Sequence, residues 1–182
     1  MLSKTRLAVL GSLGSVIAAI CMGAQPPLDS AAESAKTDAG SQKADVEDAP
    51  PYVPKTKAEL RQQLTPLQYK VTQNEDTEPA FRNAYWNNKR EGNYECVVCS
   101  QPLFTHETKF ESGTGWPSFW NPVDARAVGT KTDYRLFSTR TEVHCSRCRA
   151  HLGHVFDDGP PPTGKRYCMN SASLQFVPSD KK

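Results

Sequence analysis

The 182-residue sequence has almost no net charge: 22 Lys and Arg stand against 20 Asp and Glu, a balance of +2. It has no basic stripe, which argues against a nucleic-acid partner, and no need of a strongly acidic one. No repeat recurs beyond a duplicated C-x-x-C. Only one apolar run is long, and it lies at the N-terminus. Helix-forming stretches are few. What is plentiful is turn chemistry: 14 Pro and 11 Gly imply a turn-rich fold, a disordered segment, or both. At 37% hydrophobic and 23% charged, part of the chain can fold around a core, and the length suits one domain with extras.

The first 24 residues read as an export signal. Lys4 and Arg6 form a positive start, Leu7 to Met22 carries no charge, and small residues Gly23 and Ala24 precede two prolines. The run is short for a spanning helix and fits a signal peptide better. An uncleaved anchor is the main rival. Lipid attachment at Cys21 is the other, although Ile20 before it is bulkier than such processing prefers. Residues 25–54 hold six acids against two lysines and few large apolar groups. Such a chain cannot offset its ordering entropy by burial, so it reads as a disordered tether. Together these segments place the protein outside the cytoplasm, exported or periplasmic, and free or membrane-anchored.

The folded domain is expected over 55–178, with a four-residue tail. Thr56 and Glu59 form a capping box for a helix over Lys57 to Leu64, and Pro66 to Val71 is a second helix or turn. Beyond these the composition predicts short strands at Tyr94 to Val98, Ala125 to Gly129, Tyr134 to Ser138, Glu142 to Cys145 and Tyr167 to Val177. The fold class is therefore all-β, with two antiparallel sheets in a barrel-like arrangement and small N-terminal helices.

The six cysteines divide informatively. Cys96 and Cys99 form one C-x-x-C, Cys145 and Cys148 a second, and 45 residues separate them. Two thiolates in one tight turn can take adjacent corners of a tetrahedron, and a second turn completes a zinc site. With four sulfur ligands no position is open for water, so one zinc per chain would stabilise rather than catalyse. Two short disulfides are a rival reading in an oxidising compartment. A redox C-x-x-C is another, although no helical stretch follows either pair.

Pairing off these four leaves Cys168, if Cys21 goes with the signal. On a strand Arg166, Cys168 and Asn170 share one face. The guanidinium favours the thiolate, the reactive form. A buried structural cysteine is the plain alternative. His151 and His154, three apart and flanking Gly153, could move protons near neutrality or be ordinary core histidines. Ser112-Gly-Thr-Gly-Trp-Pro-Ser-Phe-Trp120 places Trp116, Phe119 and Trp120 within five residues. That stretch is either a core cluster under a turn or a displayed Trp116.

These stretches jointly resemble the B-type methionine sulfoxide reductases. The matching text is Val71-Thr-Gln-Asn74 with Thr77-Glu-Pro79, Ser112-Gly-x-Gly-Trp-Pro-Ser-Phe119, His151-Leu-Gly-His-Val-Phe156, Arg166-Tyr-Cys-x-Asn-Ser-Ala-Ser-Leu174 and the two C-x-x-C pairs. The resemblance covers about Lys57 to Val177. It implies that Cys168 attacks the sulfur of a methionine sulfoxide and that Trp116 and Phe156 receive the methyl end. It places His151, His154, Asp158, Arg166 and Asn170 around the sulfoxide oxygen and the thiolate. It implies zinc on Cys96, Cys99, Cys145 and Cys148, the R epimer as substrate, and oxidised proteins or peptides as its main source.

A sulfoxide oxygen leaves poorly unless protonated, and His154 with His151 as helper is the expected acid. Many members of that family carry a cysteine in the Ser-Gly-x-Gly-Trp turn that resolves the sulfenic acid left on the nucleophile. Here the position is Thr114. The expected reductant is therefore an external thiol: a thioredoxin-like protein, glutaredoxin or small dithiol. Two other functions are weighed beside this one. A zinc-ribbon binding module would not need Arg166, Cys168 and Asn170 on one strand face. A thiol–disulfide oxidoreductase using C-x-x-C would have no metal.

Overall fold

In the computed structural model, residues 52–134 and 139–179 are described. The export segment, nearly all of the tether, the stretch 135–138 of the expected strand Tyr134 to Ser138, and the last three residues lie outside them. Among the described residues, no helix is long and apolar enough to cross a membrane.

Two short helices open the domain. Helix α1 (Lys57–Gln63) starts at the expected Thr56–Glu59 capping box. Helix α2 (Pro66–Asn74) has a second box, Thr65 with Gln68, and Pro66 at its first position, where a missing N–H costs nothing. This cap carries α2 one turn beyond the expected Val71, and Glu75 ends it in the left-handed region. The helices bury Leu60, Val71 and Thr72, and Leu64 is buried at the end of α1.

The rest is two antiparallel sheets. The smaller has the order β2-β1-β9, from β1 (Gly92–Cys96), β2 (Pro102–Thr105) and β9 (Leu174–Pro178). The larger has the order β3-β4-β8-β7-β6-β5. Its strands are β3 (Lys109–Phe110), β4 (Ser118–Phe119), β5 (Val128–Asp133), β6 (Arg140–Cys145), β7 (His151–Phe156) and β8 (Arg166–Met169). Its edges β3 and β5 do not pair, so the sheet is open and the barrel-like expectation is corrected. With two residues each, β3 and β4 are too short to carry the sheet around to closure.

The core lies between the sheets. Tyr94 and Phe104 meet Phe119 at ring-centroid distances of 5.0 and 4.4 Å, and Val143, Leu152, Met169 and Leu174 fill around them. Each such side chain contributes about 1.5–3 kcal/mol by leaving water.

One expected strand is two. Tyr167 to Val177 divides into β8, a 3-10 turn at Ser171–Ser173, and β9, and the chain crosses from the larger sheet to the smaller there. The cause is a side chain from far away in sequence. The Glu78 carboxylate accepts the N–H groups of Ser171 and Ala172, so these donors are withdrawn from any ladder.

Candidate active site

Strands β7 and β8 pair at the middle of the larger sheet, with His154 opposite Cys168 and Phe156 opposite Arg166. Extending the register gives one row of directly paired positions across five strands: Lys131, Glu142, His154, Cys168 and Ser118. Period-two alternation puts Phe156 and Arg166 on that same face. Gly153 is needed here, because a Cβ would lie 2.2 Å from the carbonyl oxygen of Cys168.

Over this face lies a cavity of about 110 Å³. Trp116, Phe156 and Met169 form its apolar wall, His154, Asn170, Thr77 and Arg140 its polar side, and Cys168 and Gly153 complete it. Its volume suits the end of one side chain. Two larger hollows, of about 330 and 380 Å³, are shallow surface features lined mainly by polar and charged groups, and neither carries a cysteine.

The turn at 112–116 sets the cavity rim. Gly115 has φ +86°, and its site leaves no room for a Cβ beside the ring and backbone of Phe81. Its carbonyl accepts the Phe81 N–H at 2.9 Å and Asn83 Nδ2 at 2.7 Å. Trp116 Nε1 donates to the Glu78 carbonyl at 3.0 Å, which fixes the indole edge.

Cys168 is partly buried, and its thiol is pushed above the ordinary value. Desolvation is the main cause. The Thr114 hydroxyl, the Arg166 charge and the Ser118 hydroxyl pull the other way. Arg166 thus favours the thiolate as the sequence suggests, but burial outweighs it and the resting thiol keeps its proton. Thr114 Oγ1 lies 3.8 Å from Cys168 Sγ, and Ser112 Oγ joins Thr114 and Ser118 at 2.8 and 2.7 Å.

Arg166 is held by Asp158 through Nε and Nη2, both at 2.8 Å, and its guanidinium lies 4.4 Å from the Phe156 ring centroid. Asp158 itself is exposed and acts through Arg166. Asn170 reaches the cavity but its amide is engaged. It accepts from the Glu78 N–H at 3.1 Å and donates to the Leu152 carbonyl at 3.1 Å. His151 is not in the cavity wall. It is buried behind His154, with ring centroids 5.5 Å apart, and its Nδ1 is 3.1 Å from Glu142 Oε1. Neither His151 ring nitrogen has an aligned hydrogen-bond partner among the described residues.

Thr77, Glu78, Asp133, Arg140 and Met169 of this site were not singled out from sequence. Thr77 and Glu78 belong to the matched text but carried no visible chemistry. His154 Nε2 lies 2.8 Å from Asp133 Oδ2, and Arg140 Nη2 reaches the same oxygen at 2.7 Å. Burial is the largest influence and leaves the His154 pKa below its ordinary value; the charges of Arg140 and His151 add to the lowering, and the hydrogen bond and charge of Asp133 oppose it.

The two C-x-x-C pairs come together as anticipated. Each turn has the same backbone pattern: Ser100 and Arg149 at positive φ, with their N–H groups returned to the carbonyls of Cys96 and Cys145. Cys96 and Cys148 sulfurs are 3.5 Å apart and Cys99 and Cys145 sulfurs 3.6 Å, with all four within 4.8 Å. Four ligands at about 2.3 Å from a tetrahedral ion would be ~3.8 Å from one another. The four cysteines therefore fit a metal ion of zinc's size.

Comparison with known proteins shows the family. The family described as SelR domain matches residues 64–178. The peptide methionine sulfoxide reductase MsrB of Thiobacillus denitrificans is 54% identical over 127 residues, which is 70% of this chain and 96% of that protein. The mouse mitochondrial methionine-R-sulfoxide reductase B3 is 57% identical over 122 residues, 67% of this chain and 48% of that one. The MsrA/MsrB protein of Vibrio cholerae is 52% identical over 130 residues, 71% of this chain and 34% of that protein. With its central Cys168 and its four-cysteine cluster, the chain belongs to the B-type methionine sulfoxide reductases.

Proposed function

We propose that the protein reduces methionine-R-sulfoxide, mainly within oxidised proteins and peptides, through a sulfenic acid on Cys168. The observation that carries this is the opposition of His154 and Cys168 across β7 and β8, beneath a cavity walled by Trp116 and Phe156. The methyl end sits against these rings. The cavity's size suits a side chain presented by a polypeptide.

In the first step Cys168, once deprotonated, attacks the sulfoxide sulfur. His154 protonates the oxygen, directly or through water, with His151 behind it. The oxygen passes to the Cys168 sulfur, leaving the methionine thioether and a sulfenic acid. Arg166, held by Asp158, stabilises the thiolate, and Asn170 positions the chain beside it. A resting thiol raised by burial is sparing with its thiolate, which limits adventitious oxidation between turnovers.

In the second step two equivalents of an external thiol reduce the sulfenic acid, releasing water and forming the reductant's disulfide. Thr114 supports this route, because the hydroxyl stands against Cys168 where many relatives have a resolving cysteine. A thioredoxin-like protein, a glutaredoxin or a small dithiol would serve. One structural zinc on Cys96, Cys99, Cys145 and Cys148 fits the sulfur spacing and leaves no open position for catalysis. The positive start and apolar run of residues 1–24, followed by the acidic segment 25–54, favour an exported, extracytoplasmic protein whose domain stands off a membrane on that tether.

The test is consumption of the two epimers of a methionine sulfoxide peptide with dithiothreitol. Wild type should consume only the R epimer and Cys168→Ser neither. Equal loss of both epimers, or an active Cys168→Ser, would overturn the reading.

A further inference from the structure

The hairpin of β5 and β6 lies beside the histidine strand, and its charges are arranged in cross-strand pairs. Lys131 opposes Glu142 and Asp133 opposes Arg140. Period-two alternation sets all four on one face. Each pair then engages one histidine of β7. Lys131 Nζ meets Glu142 Oε2 at 3.0 Å, and Glu142 Oε1 lies 3.1 Å from His151. Arg140 meets Asp133 Oδ2, and the same oxygen is 2.8 Å from His154 Nε2. The contact at His154 is well shielded: the side chains of His154 and Asp133 are only 12% and 10% exposed.

We propose that Asp133, held in place by Arg140, is a positioning residue for the reaction: it fixes the His154 tautomer and supports the protonated imidazole. This rests on the reading of His154 as the acid. A carboxylate at Nε2 keeps a proton on that nitrogen. Nδ1 is then the nitrogen that gains and loses the proton delivered to the sulfoxide oxygen. No bond to carbon or sulfur involves Asp133. Its charge offsets the cost of burying an imidazolium, and Arg140 keeps that oxygen from turning away. Burial and the neighbouring cations hold the His154 pKa below its ordinary value even with the carboxylate present, and its loss would lower it further and leave less of the protonated acid.

The titratable and charged groups facing His154 are Asp133 and Lys131 on β5, Arg140 and Glu142 on β6, His151 on its own strand, and Cys168 and Arg166 on β8. Of these only Asp133 makes a hydrogen bond to the His154 ring among the described residues. The arrangement is absent from the recognisable motifs because it depends on register between two strands of ordinary charged composition.

The experiment is a nitrogen-15 NMR titration of His154 in wild type, Asp133→Asn and Arg140→Gln, run beside the pH profile of R-sulfoxide reduction. In Asp133→Asn the His154 midpoint should move to lower pH and Nε2 should lose its fixed protonation. The alkaline limb of kcat should move down with it, and kcat at pH 7 should fall about 10- to 100-fold, with KM changing less. In Arg140→Gln loss of a cation raises the midpoint and release of Asp133 lowers it, so the readout there is the tautomer: Nε2 should lose part of its fixed protonation. A merely structural role for the pair would leave the His154 tautomer and midpoint as in wild type. An unchanged tautomer and midpoint in folded Asp133→Asn would overturn the proposal, and if that variant does not fold, an unchanged tautomer in Arg140→Gln would overturn it. Should His154→Gln keep full activity, the acid assignment would fail, while the titration would still report whether Asp133 governs the imidazole.

Discussion

Replacing Glu78 tests how the site is tied together. Glu78 is 3% exposed, and its carboxylate accepts the N–H groups of Ser171 and Ala172. Its own N–H meets Asn170, and its carbonyl receives the Trp116 indole. Glu78→Ala leaves two buried donors without acceptors, at about 1–3 kcal/mol each. Relief of burying the carboxylate returns part of that. The net expected loss is about 2–4 kcal/mol, a fall in Tm of roughly 10 °C for a domain of this size. Burial raises the Glu78 pKa despite the pull of these N–H groups. The folded state therefore binds that proton more tightly than the unfolded chain. The stability so contributed is full below the ordinary glutamate value of about 4.3 and is lost as pH rises through the raised folded value. Glu78→Gln cannot titrate, so its stability relative to wild type should improve as pH rises through that window. Guanidinium unfolding from pH 4 to 8, followed by circular dichroism, measures both effects. A loss below ~1 kcal/mol for Glu78→Ala, or a Glu78→Gln difference independent of pH, would refute the reasoning.

Three further outcomes follow from the same geometry. Thr114→Cys should place a second thiol against Cys168, so that one turnover ends in an internal disulfide and two thiols disappear from the titration. Removing metal with a strong chelator should unfold the domain cooperatively, and atomic emission should find about one zinc per chain beforehand. Arg166→Met should raise the Cys168 pKa further, because a favourable charge is lost. Its alkylation by iodoacetamide at pH 7 should then be slower than in wild type, and the gap should close as pH rises.

Much of the site was legible because its chemistry is local in sequence. The C-x-x-C spacing alone specified the two turns, and their shared backbone pattern brings the sulfurs to 3.5–3.6 Å. Cys168 and Arg166 share a face because strand alternation is a property of the backbone. The strand His151–Phe156 was harder to see. Gly153 and two histidines dilute its β character, and only the close approach of Cys168 explains why glycine is required. The break between β8 and β9 was hidden for another reason. Tyr167 to Val177 has strand composition throughout, and the residue that interrupts it, Glu78, is 93 positions away from Ser171. Asp133 and Arg140 were two charges among many until the hairpin register paired them. Opposed charges at matching offsets on either side of residues 134–139, Lys131-x-Asp133 and Arg140-x-Glu142, were the available signal.

The most direct test of the account is a single turnover without reductant. Wild-type protein is mixed with an equivalent of methionine-R-sulfoxide peptide and examined by intact-mass and peptide-mass spectrometry. The account predicts one thioether released per chain and one oxygen added at Cys168, trapped by dimedone, with no internal disulfide. Thioether release with the oxygen or a disulfide at another cysteine, and Cys168 unchanged, would contradict it.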